Sequence, residues 1–381
     1  MIKAEEARRS GKEIVPLNIG DPVRFDFQTP VHIRRALVKA IESGANYYSP
    51  SEGMKELREA VAEKENGING ADIVPDNVLV TAGISEAILF LMGAFVEPGD
   101  EVLMPGPCYS PYLAYVKFFD GKAVTYRTVE ERGWAPDLQN LESKITDRTR
   151  LILIVNPSNP CGSLYSRDEL RKIIDLAGSH GIPVAADEIY DRITYDGAFT
   201  SVASLAKDVP LIGLNGFSKV YLMTGWRLGY MYLQDPDGKL ADVWDGIQRM
   251  SRVRISASTP VQLAGVEALR GPQDHIREMV EKLRKRRDLA VRRVNAIPRL
   301  HTSKPDGAFY VFPKVDLAGT EWRDDEEFVT DLLKDTGVLV VQGSGFDANY
   351  GKDHFRAVFL PDEKLLDQAF DAVESFMKRH S

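Results

Sequence analysis

The chain has 381 residues, more than one hydrophobic core usually serves, so we expect two structural lobes. Its composition of 44% hydrophobic and 27% charged residues is typical of a globular protein, and its net charge of −8 argues against a nucleic-acid partner. No apolar run approaches the roughly 18 residues of a membrane span, and the first 14 residues lack the apolar core of a signal peptide, so we predict no membrane association and a cytoplasmic location.

The cysteines and histidines indicate neither a disulfide framework nor a metal site. The two cysteines, Cys108 and Cys161, are too few for a framework and fit a reducing compartment. The six histidines are scattered, without a helical i, i+4 pair and without a cysteine partner at zinc spacing. We therefore predict no metal ligands in this chain.

The N-terminal part predicts a short strand and two helices. Ile14–Asn18 reads as a strand that runs into a turn beginning at Gly20. Apolar residues at helical spacing predict one helix over Thr29–Ser43 and a second one after Gly53. Between the helices, Tyr48 and the tyrosine before it lie in a polar turn, where the local pattern alone favours packing on a neighbouring helix.

From about residue 77, strands alternate with helices, and the first such unit contains a glycine turn. The strand Val78–Val80 leads through Gly83, Ile84 and Ser85 into a helix that runs to Phe95. Such a turn suits a phosphate, because free backbone N–H groups and the helix dipole face the anion. Many α/β proteins have similar turns without a ligand, so the turn alone does not decide between these interpretations.

The next strand, Glu101–Met104, is followed by a stretch rich in proline and glycine that ends at Tyr109. These backbone residues fix the direction in which the tyrosine leaves the strand. An aromatic ring held in this way could stack on a planar ligand or fill the core, and the local pattern favours neither.

Three polar residues each follow an apolar strand of the same predicted sheet. They are Asn159, Asp187 and Lys219. The preceding strands are predicted over Leu151–Val155, Ile182–Ala186 and Leu211–Leu214. In open α/β sheets, ligands bind outside the carboxyl ends of the strands, so this convergence predicts a ligand site.

Lys219 has the sequence surroundings of a reactive amine. It follows Ser218 in an apolar, hydroxyl-rich turn without an acidic neighbour in the sequence. Desolvation lowers the pKa of a lysine, and a neutral amine is what Schiff-base chemistry requires. Taken alone, a lysine at the end of a strand would more often extend its amine to solvent.

The C-terminal part predicts a smaller α+β lobe. A long helix over Asp274–Asn295 carries the basic run Arg284–Arg287, which we interpret as a solvated helix face. Gly343–Ala348 matches a dinucleotide-binding fingerprint, but an apolar-periodic helix does not follow, so we predict a plain loop. We expect the N-terminal segment to join this lobe, which gives the boundaries 1–44, 45–273 and 274–381.

Arg356 lies in the predicted strand Phe355–Leu360, on the same face as Val358 and Leu360. A guanidinium on an apolar face needs an anion, and its planar fork suits a carboxylate. A structural salt bridge and a bound substrate carboxylate both meet this need.

The side chains and the glycine turn described above suit one cofactor. A cofactor with a ring nitrogen, a phenolic oxygen, an aldehyde and a phosphate would use all of them, and pyridoxal 5'-phosphate (PLP) is such a cofactor. The chain resembles the class I/II PLP-dependent aminotransferases of fold type I over essentially its whole length. The motifs that carry the resemblance are Asn156-Pro157-Ser158-Asn159-Pro160-Cys161-Gly162, Asp187-Glu188-Ile189-Tyr190, and Ser218-Lys219 with Gly225-Trp226-Arg227-Leu228-Gly229. It implies an α/β fold whose large domain has a mixed, mostly parallel sheet flanked by helices, plus a smaller α+β domain.

The resemblance implies a role for each residue near the ring of the cofactor. Lys219 would bond to the cofactor aldehyde and, once freed by substrate, carry the proton that leaves the substrate Cα. Asp187 would pair with the ring nitrogen, and its own charge would be stabilised there by that cation. Asn159 and Tyr190 would hydrogen-bond the phenolic oxygen, and Tyr109 would stack on the ring.

The resemblance also implies phosphate and substrate contacts. The phosphate would be held by Gly83, Ile84, Ser85, Ser218, Arg227 and, in a homodimer with shared active sites, the partner subunit's Tyr48. Arg356 would bind the α-carboxylate of an amino acid or a 2-oxo acid, with Gly20 and Asn159 beside it. Gly216 departs from the pattern, because many members of the family have a phosphate-binding serine at this position.

The form Asn-Gly-Phe-Ser-Lys at residues 215–219 resembles the alanine aminotransferase branch, which implies alanine and 2-oxoglutarate as substrates. Aspartate or broad aromatic specificity is the near alternative, because the loops that select the side chain carry no readable motif. A β-eliminating C–S lyase could use the same residues. The intact Lys219 argues against a non-enzymatic effector-binding domain.

Overall fold

The computed structural model describes residues 2–9 and 11–380. Its strands in chain order are β1 (Val15–Pro16), β2 (Val78–Thr81), β3 (Glu101–Gly106), β4 (Lys122–Val129), β5 (Ala135–Pro136), β6 (Thr149–Val155), β7 (Val184–Asp187), β8 (Leu211–Gly216), β9 (Gly229–Gln234), β10 (Leu300–His301), β11 (Tyr310–Val311), β12 (Lys314–Val315), β13 (Val338–Leu339), β14 (Val341–Gln342) and β15 (Phe355–Val358). Its helices are α1 (Ile2–Arg9), α2 (Val31–Glu42), α3 (Lys55–Asn69), α4 (Ile84–Phe95), α5 (Ser110–Phe118), α6 (Leu138–Ser143), α7 (Arg167–Ser179), α8 (Ala241–Val253), α9 (Thr259–Arg270), α10 (Asp274–Ala296), α11 (Asp325–Thr336) and α12 (Glu363–His380).

Eight strands form the central sheet in the order β2-β9-β8-β7-β6-β3-β4-β5. The five strands from β8 to β4 are parallel to their neighbours within that group. In contrast, β9 is antiparallel to both β2 and β8, and β5 is antiparallel to β4. The predicted α/β class with a mixed, mostly parallel sheet is therefore confirmed.

The apolar composition of the central strands follows from burial on both faces of the sheet. Along β6, Ile152 and Ile154 belong to one hydrophobic core, whereas Leu151 and Leu153 belong to a second one. Successive side chains of a strand point to opposite faces, so the two cores lie on opposite sides of the sheet. Helices cover both faces, as is usual for parallel sheets.

Strand register brings the carboxyl ends of β6, β7 and β8 together. Val155 pairs with Asp187, and Asp187 pairs with Leu214. The residues that directly follow these strands must therefore emerge at the same edge of the sheet. This edge is where Asn159, Asp187 and Lys219 were expected to meet.

The helix after β6 illustrates how local sequence fixes an element. Ser166 Oγ accepts a hydrogen bond from the Glu169 N–H at 3.3 Å, and the Glu169 carboxylate accepts one from the Ser166 N–H at 2.8 Å. This is the capping box of α7, and it satisfies two N–H groups at the helix terminus.

The C-terminal part contains short antiparallel strands, and the N-terminal strand β1 joins it by pairing with β13. The order β11-β15-β14 forms a three-stranded sheet, and β1 pairs in parallel with β13. Strands β13 and β14 are separate although only one residue lies between them, because they pair with different partners. The domain boundaries 1–44, 45–273 and 274–381 stay a prediction.

The interpretation of Arg284–Arg287 as a solvated face is wrong for its second half. Arg286 is 1% exposed and Arg287 0% exposed. Both follow Leu283 by three or four residues in α10, so they share its buried face. Arg286 pairs with Asp26 at 2.7 Å, and Arg287 pairs with Asp196 at 2.9 Å.

Three further features concern membrane-spanning helices, metal ligands and the cysteines. Within residues 2–9 and 11–380, helices with the length and apolar character of a membrane crossing are absent. Groups of three histidine, cysteine or acidic side chains that could hold a metal ion are also absent from this part of the chain. Cys108 and Cys161 are both buried free thiols.

Candidate active site

A cavity of about 350 Å³ opens at the carboxyl ends of the central strands. It brings together most of the residues that the sequence singled out. Those that line it are Gly20, Ile84, Ser85, Tyr109, Asn159, Asp187, Tyr190, Ser218, Lys219, Arg227 and Arg356. Neither Gly83, which directly precedes Ile84, nor the exposed Tyr48 lines this cavity.

The amine of Lys219 points into this cavity. Its Nζ donates a hydrogen bond to the Gly20 carbonyl at 2.5 Å. Burial lowers the pKa of Lys219 to about 8, although attraction to Asp21 partly opposes this effect. The fold therefore supplies an acidic neighbour that the local sequence lacks, yet the amine still loses its proton more readily than a solvated lysine.

Asp187 is a buried carboxylic acid at the end of β7, with 3% of its surface exposed. Burial raises its pKa to about 6, while hydrogen bonds from Tyr112 and the Ile189 N–H, and the charge of Lys219, act in the opposite direction. The Tyr112 hydroxyl donates to Oδ2 at 2.8 Å, and the Ile189 N–H donates to Oδ1 at 3.2 Å. A cation placed beside this carboxylate would lower its pKa again.

Arg356 contacts neutral oxygens rather than a carboxylate. Its guanidinium donates to Asn159 Oδ1 at 2.8 Å and to the Asn18 carbonyl at 2.6 Å. It stacks over the rings of Tyr310 and Phe346, with centroid distances of 4.6 and 4.8 Å. Because the ion pairs among the described residues do not include Arg356, its charge is available to an anion in the cavity.

Two tyrosines of the site, Tyr112 and Tyr310, were missing from the predictions made from the sequence. The hydroxyls of Tyr190 and Tyr310 are hydrogen-bonded to each other at 2.7 Å, and Tyr310 lines the cavity. Tyr112, which holds Asp187, lies three residues after Tyr109. This i, i+3 spacing at the start of α5 was a signal for Tyr112, whereas Tyr310 comes from a distant strand and has no local signal.

The turn between β2 and α4 forms the cradle that its sequence suggested. Gly83 has a positive φ of 78° and precedes the first residue of α4. A Cβ atom at Gly83 would collide with the Arg227 guanidinium, so only glycine lets this cation approach the turn. The N–H groups of Ile84 and Ser85 lie in the first turn of the helix, where N–H groups lack intrahelical acceptors.

Gly216 occupies a position where a larger residue does not fit freely. A Cβ atom there would lie 3.0 Å from the Gly229 Cα and 3.2 Å from the Leu228 carbonyl oxygen. Both neighbours belong to the backbone of the adjacent strand region, which cannot move aside easily. A serine at residue 216 would therefore require this backbone to shift by a few tenths of an ångström.

Tyr48 is 80% exposed and Tyr47 is 60% exposed in the single chain. The expectation that the two tyrosines pack on a neighbouring helix of their own chain is therefore wrong. Two further apolar residues lie on the surface. They are Val253, which is 87% exposed, and Ile255, which is 47% exposed.

Comparisons with known proteins agree on one family. Residues 12–373 match the family model described as aminotransferase class I and II. The chain is 37% identical to the glutamate-pyruvate aminotransferase AlaA of Escherichia coli K12 over 363 residues, which are 94% of this chain and 89% of that protein. It is also 37% identical to the alanine aminotransferase of Mycobacterium tuberculosis H37Rv over 98% of this chain and 88% of that protein. A solved alanine aminotransferase from Pyrococcus furiosus has a TM-score of 0.97 and 51% identity, covering 99% of this chain and 95% of that one.

Proposed function

The chain belongs to the aminotransferase class I and II family, and we propose on this premise that it exchanges an amino group between L-alanine and 2-oxoglutarate, giving pyruvate and glutamate, with PLP as its cofactor. One observation carries the proposal: a partly buried amine and a buried carboxylic acid face one cavity, and burial shifts the pKa of each toward neutrality. Perturbed groups of this kind are typical of catalytic sites.

The residues of the cavity fit PLP. The buried acid Asp187 gains from a cationic ring nitrogen, and Lys219 is the amine that can bond to the aldehyde. The turn at Gly83, with Ser218 and Arg227, offers N–H, hydroxyl and guanidinium groups to a phosphate. Tyr109, Asn159 and Tyr190 remain for the ring and its phenolic oxygen, and PLP, when bound, supplies a ring that accepts electrons from the substrate.

In this proposal, Lys219 moves the proton of the substrate Cα. A lowered pKa allows the amine to accept that proton near neutral pH and to return it afterwards. Its present acceptor, the Gly20 carbonyl, holds the amine inside the cavity. A Cβ atom at Gly20 would collide with Phe309 and Tyr310, so glycine is needed for the backbone at residue 20 to lie against these two rings.

Arg356 is proposed to bind the α-carboxylate of the substrate. Support comes from its burial, from its free charge and from Asn159, which already orients one side of the guanidinium. A bidentate arginine fixes the orientation of a carboxylate as well as its affinity. The substrate Cα would then be held at a constant position while the side chain varies.

We further propose a cytoplasmic homodimer in which the partner subunit's Tyr48 completes the phosphate site. The high exposure of Tyr47, Tyr48 and Val253 in the single chain supports a covered surface, because large exposed apolar side chains are typical of protein–protein contacts. Sedimentation analysis should therefore give a particle with twice the mass of one chain. A fully active monomer would contradict this proposal.

Alanine is favoured because the similar E. coli, Mycobacterium and Pyrococcus proteins carry alanine or glutamate-pyruvate aminotransferase in their names. Aspartate is the second candidate, since a solved Thermus thermophilus aspartate aminotransferase also matches, at 34% identity and a TM-score of 0.88. Half-reaction rates of a panel of amino acids decide between them. We expect alanine and glutamate to react fastest, and faster turnover of aspartate would reject the alanine assignment.

The same panel tests the reaction type. Each amino acid is incubated with the holoenzyme in the presence and absence of 2-oxoglutarate, and both the 2-oxo acid product and ammonia are measured. An aminotransferase releases stoichiometric 2-oxo acid without ammonia and needs the acceptor for turnover. Release of pyruvate and ammonia without an acceptor would instead indicate a β-eliminating lyase.

A further inference from the structure

A cluster of buried polar side chains lies beside the candidate site without lining its cavity. At its centre, Oδ2 of Asp191 accepts hydrogen bonds from Lys64 Nζ at 2.5 Å, Asn215 Nδ2 at 3.0 Å and Asn69 Nδ2 at 3.2 Å. Each of these four residues is at most 7% exposed. Three donors on one buried oxygen hold its position tightly, because charge-assisted hydrogen bonds are strong in a low dielectric.

This cluster is joined to two segments that carry site residues. Asp191 directly follows Tyr190, whose side chain lines the cavity. Asn215 lies in β8, four residues before Lys219, and its Oδ1 accepts a hydrogen bond from the Gly216 N–H at 2.7 Å. The hydrogen bond between Asn215 and Asp191 therefore connects the turn that carries Tyr190 to the end of β8, which leads to Lys219.

The third side of the cluster is α3, which supplies Lys64, Glu65 and Asn69. Burial by itself would lower the pKa of Lys64, but attraction to Asp191 and Glu65 outweighs burial and raises that pKa well above its usual range. Lys64 is therefore a buried cation held by two anions. Displacing Asp191 would separate its buried carboxylate from Lys64 and leave Lys64 with Glu65 alone, and separating buried charges is strongly unfavourable.

We propose that Asp191 and Asn215 are positioning residues, whose mutual hydrogen bond holds the amine of Lys219 in place relative to the hydroxyl of Tyr190. The catalytic side of this proposal rests on the proposed aminotransferase function. A displacement of about 1 Å near reacting groups can cost roughly a hundredfold in rate. A merely structural cluster would affect stability but would leave the reactivity of Lys219 in the folded protein unchanged.

Asn215→Ala and Asn69→Ala form a matched pair for the test. Each variant removes one buried carboxamide that donates to the same atom, Oδ2 of Asp191. Asn215→Ala cuts the connection to β8, whereas Asn69→Ala cuts a connection to α3. Two quantities are measured: kcat and KM of the holoenzyme, and the pH dependence of acetylation of Lys219 by acetic anhydride in the cofactor-free protein, read by peptide mass spectrometry.

For Asn215→Ala we expect kcat to fall roughly tenfold to a hundredfold with little change in KM. The acetylation midpoint of Lys219 should rise above about 8, because water gains access to a loosened amine. For Asn69→Ala both quantities should stay within about twofold of the wild type. If Asn215→Ala fails to fold, Asn215→Ser and Asn69→Ser provide the same comparison, because the serine hydroxyl is polar but too short to reach Asp191 Oδ2.

Equal effects in the two variants, or an unchanged acetylation profile in folded Asn215→Ala, would overturn the positioning role. The acetylation measurement is independent of turnover. A wild type without aminotransferase activity would therefore reject the proposed function, while the acetylation profiles would still decide whether Asn215 and Asp191 hold Lys219.

Discussion

Replacement of Asp187 by asparagine should make the cofactor-free protein more stable while it abolishes efficient catalysis. Burial raises the pKa of Asp187 from 3.8 to about 6. A carboxyl with a raised pKa is protonated in the folded state below that value and must be ionised in the interior above it. The difference of about 2 in pKa corresponds to about 3 kcal/mol of destabilisation at pH 8, and this cost develops as the pH rises through 4 to 6.

The variant Asp187→Asn resembles the protonated acid in shape and lacks the cost of ionisation. Its gain in the free energy of unfolding should therefore be about 1–2 kcal/mol larger at pH 8 than at pH 5. Urea unfolding of both cofactor-free proteins at the two pH values measures this difference. A gain that does not depend on pH would refute the assignment of a buried, uncompensated carboxylate to Asp187.

Asp26→Asn is the matched control, and we expect it to change the free energy of unfolding in the opposite direction. Hydrogen bonding to Arg286 is the main reason why the pKa of Asp26 is lowered to about 2. Its ionised form therefore stabilises the fold at pH 5 and at pH 8, and this contribution disappears only in stronger acid. The amide variant should lose stability at both pH values, where Asp187→Asn gains it.

Three further changes test other parts of the account. Arg356→Ala should raise KM roughly tenfold to a hundredfold for every amino acid, because all of them share the α-carboxylate. Arg286→Ala should lower the free energy of unfolding by about 3 kcal/mol, because it leaves a cavity where a large side chain is 1% exposed and removes hydrogen bonds to Asp26 and the Leu360 carbonyl. Gly216→Ser should cost about 1–3 kcal/mol of stability, because its Cβ meets backbone atoms, and it should not tighten cofactor binding.

Steady-state kinetics with several amino acids checks Arg356→Ala, and impairment of a single substrate would reject the carboxylate role of Arg356. Urea unfolding checks Arg286→Ala. Lys285→Ala on the exposed side of α10 is its control and should change stability by no more than about 0.5 kcal/mol. For Gly216→Ser, cofactor titration that gave tighter binding with unchanged stability would contradict the steric explanation.

The strand-end residues could be predicted from sequence because their placement follows from a general rule. Asn159, Asp187 and Lys219 each come after an apolar run, and parallel strands bring their carboxyl ends to one edge. The apolar runs themselves reflect burial on both faces of the sheet. Local patterns and one topological rule were therefore sufficient for this part of the site.

Residues that depend on distant partners could not be predicted in this way. The burial of Arg286 and Arg287 depends on Asp26 and Asp196, which lie on segments far from α10 in sequence. A basic run without its partners looks like a solvated face. The hydrogen bond that links Tyr310 to the site likewise depends on tertiary contacts that no short motif encodes.

The attachment of PLP to Lys219 is tested most directly by chemical trapping. The protein is incubated with PLP, reduced with borohydride, digested and examined by peptide mass spectrometry. We predict a single stable pyridoxyl modification on Lys219, the lysine whose pKa burial lowers to about 8. Absence of the modification, or its appearance on a different lysine, would contradict the proposed active site.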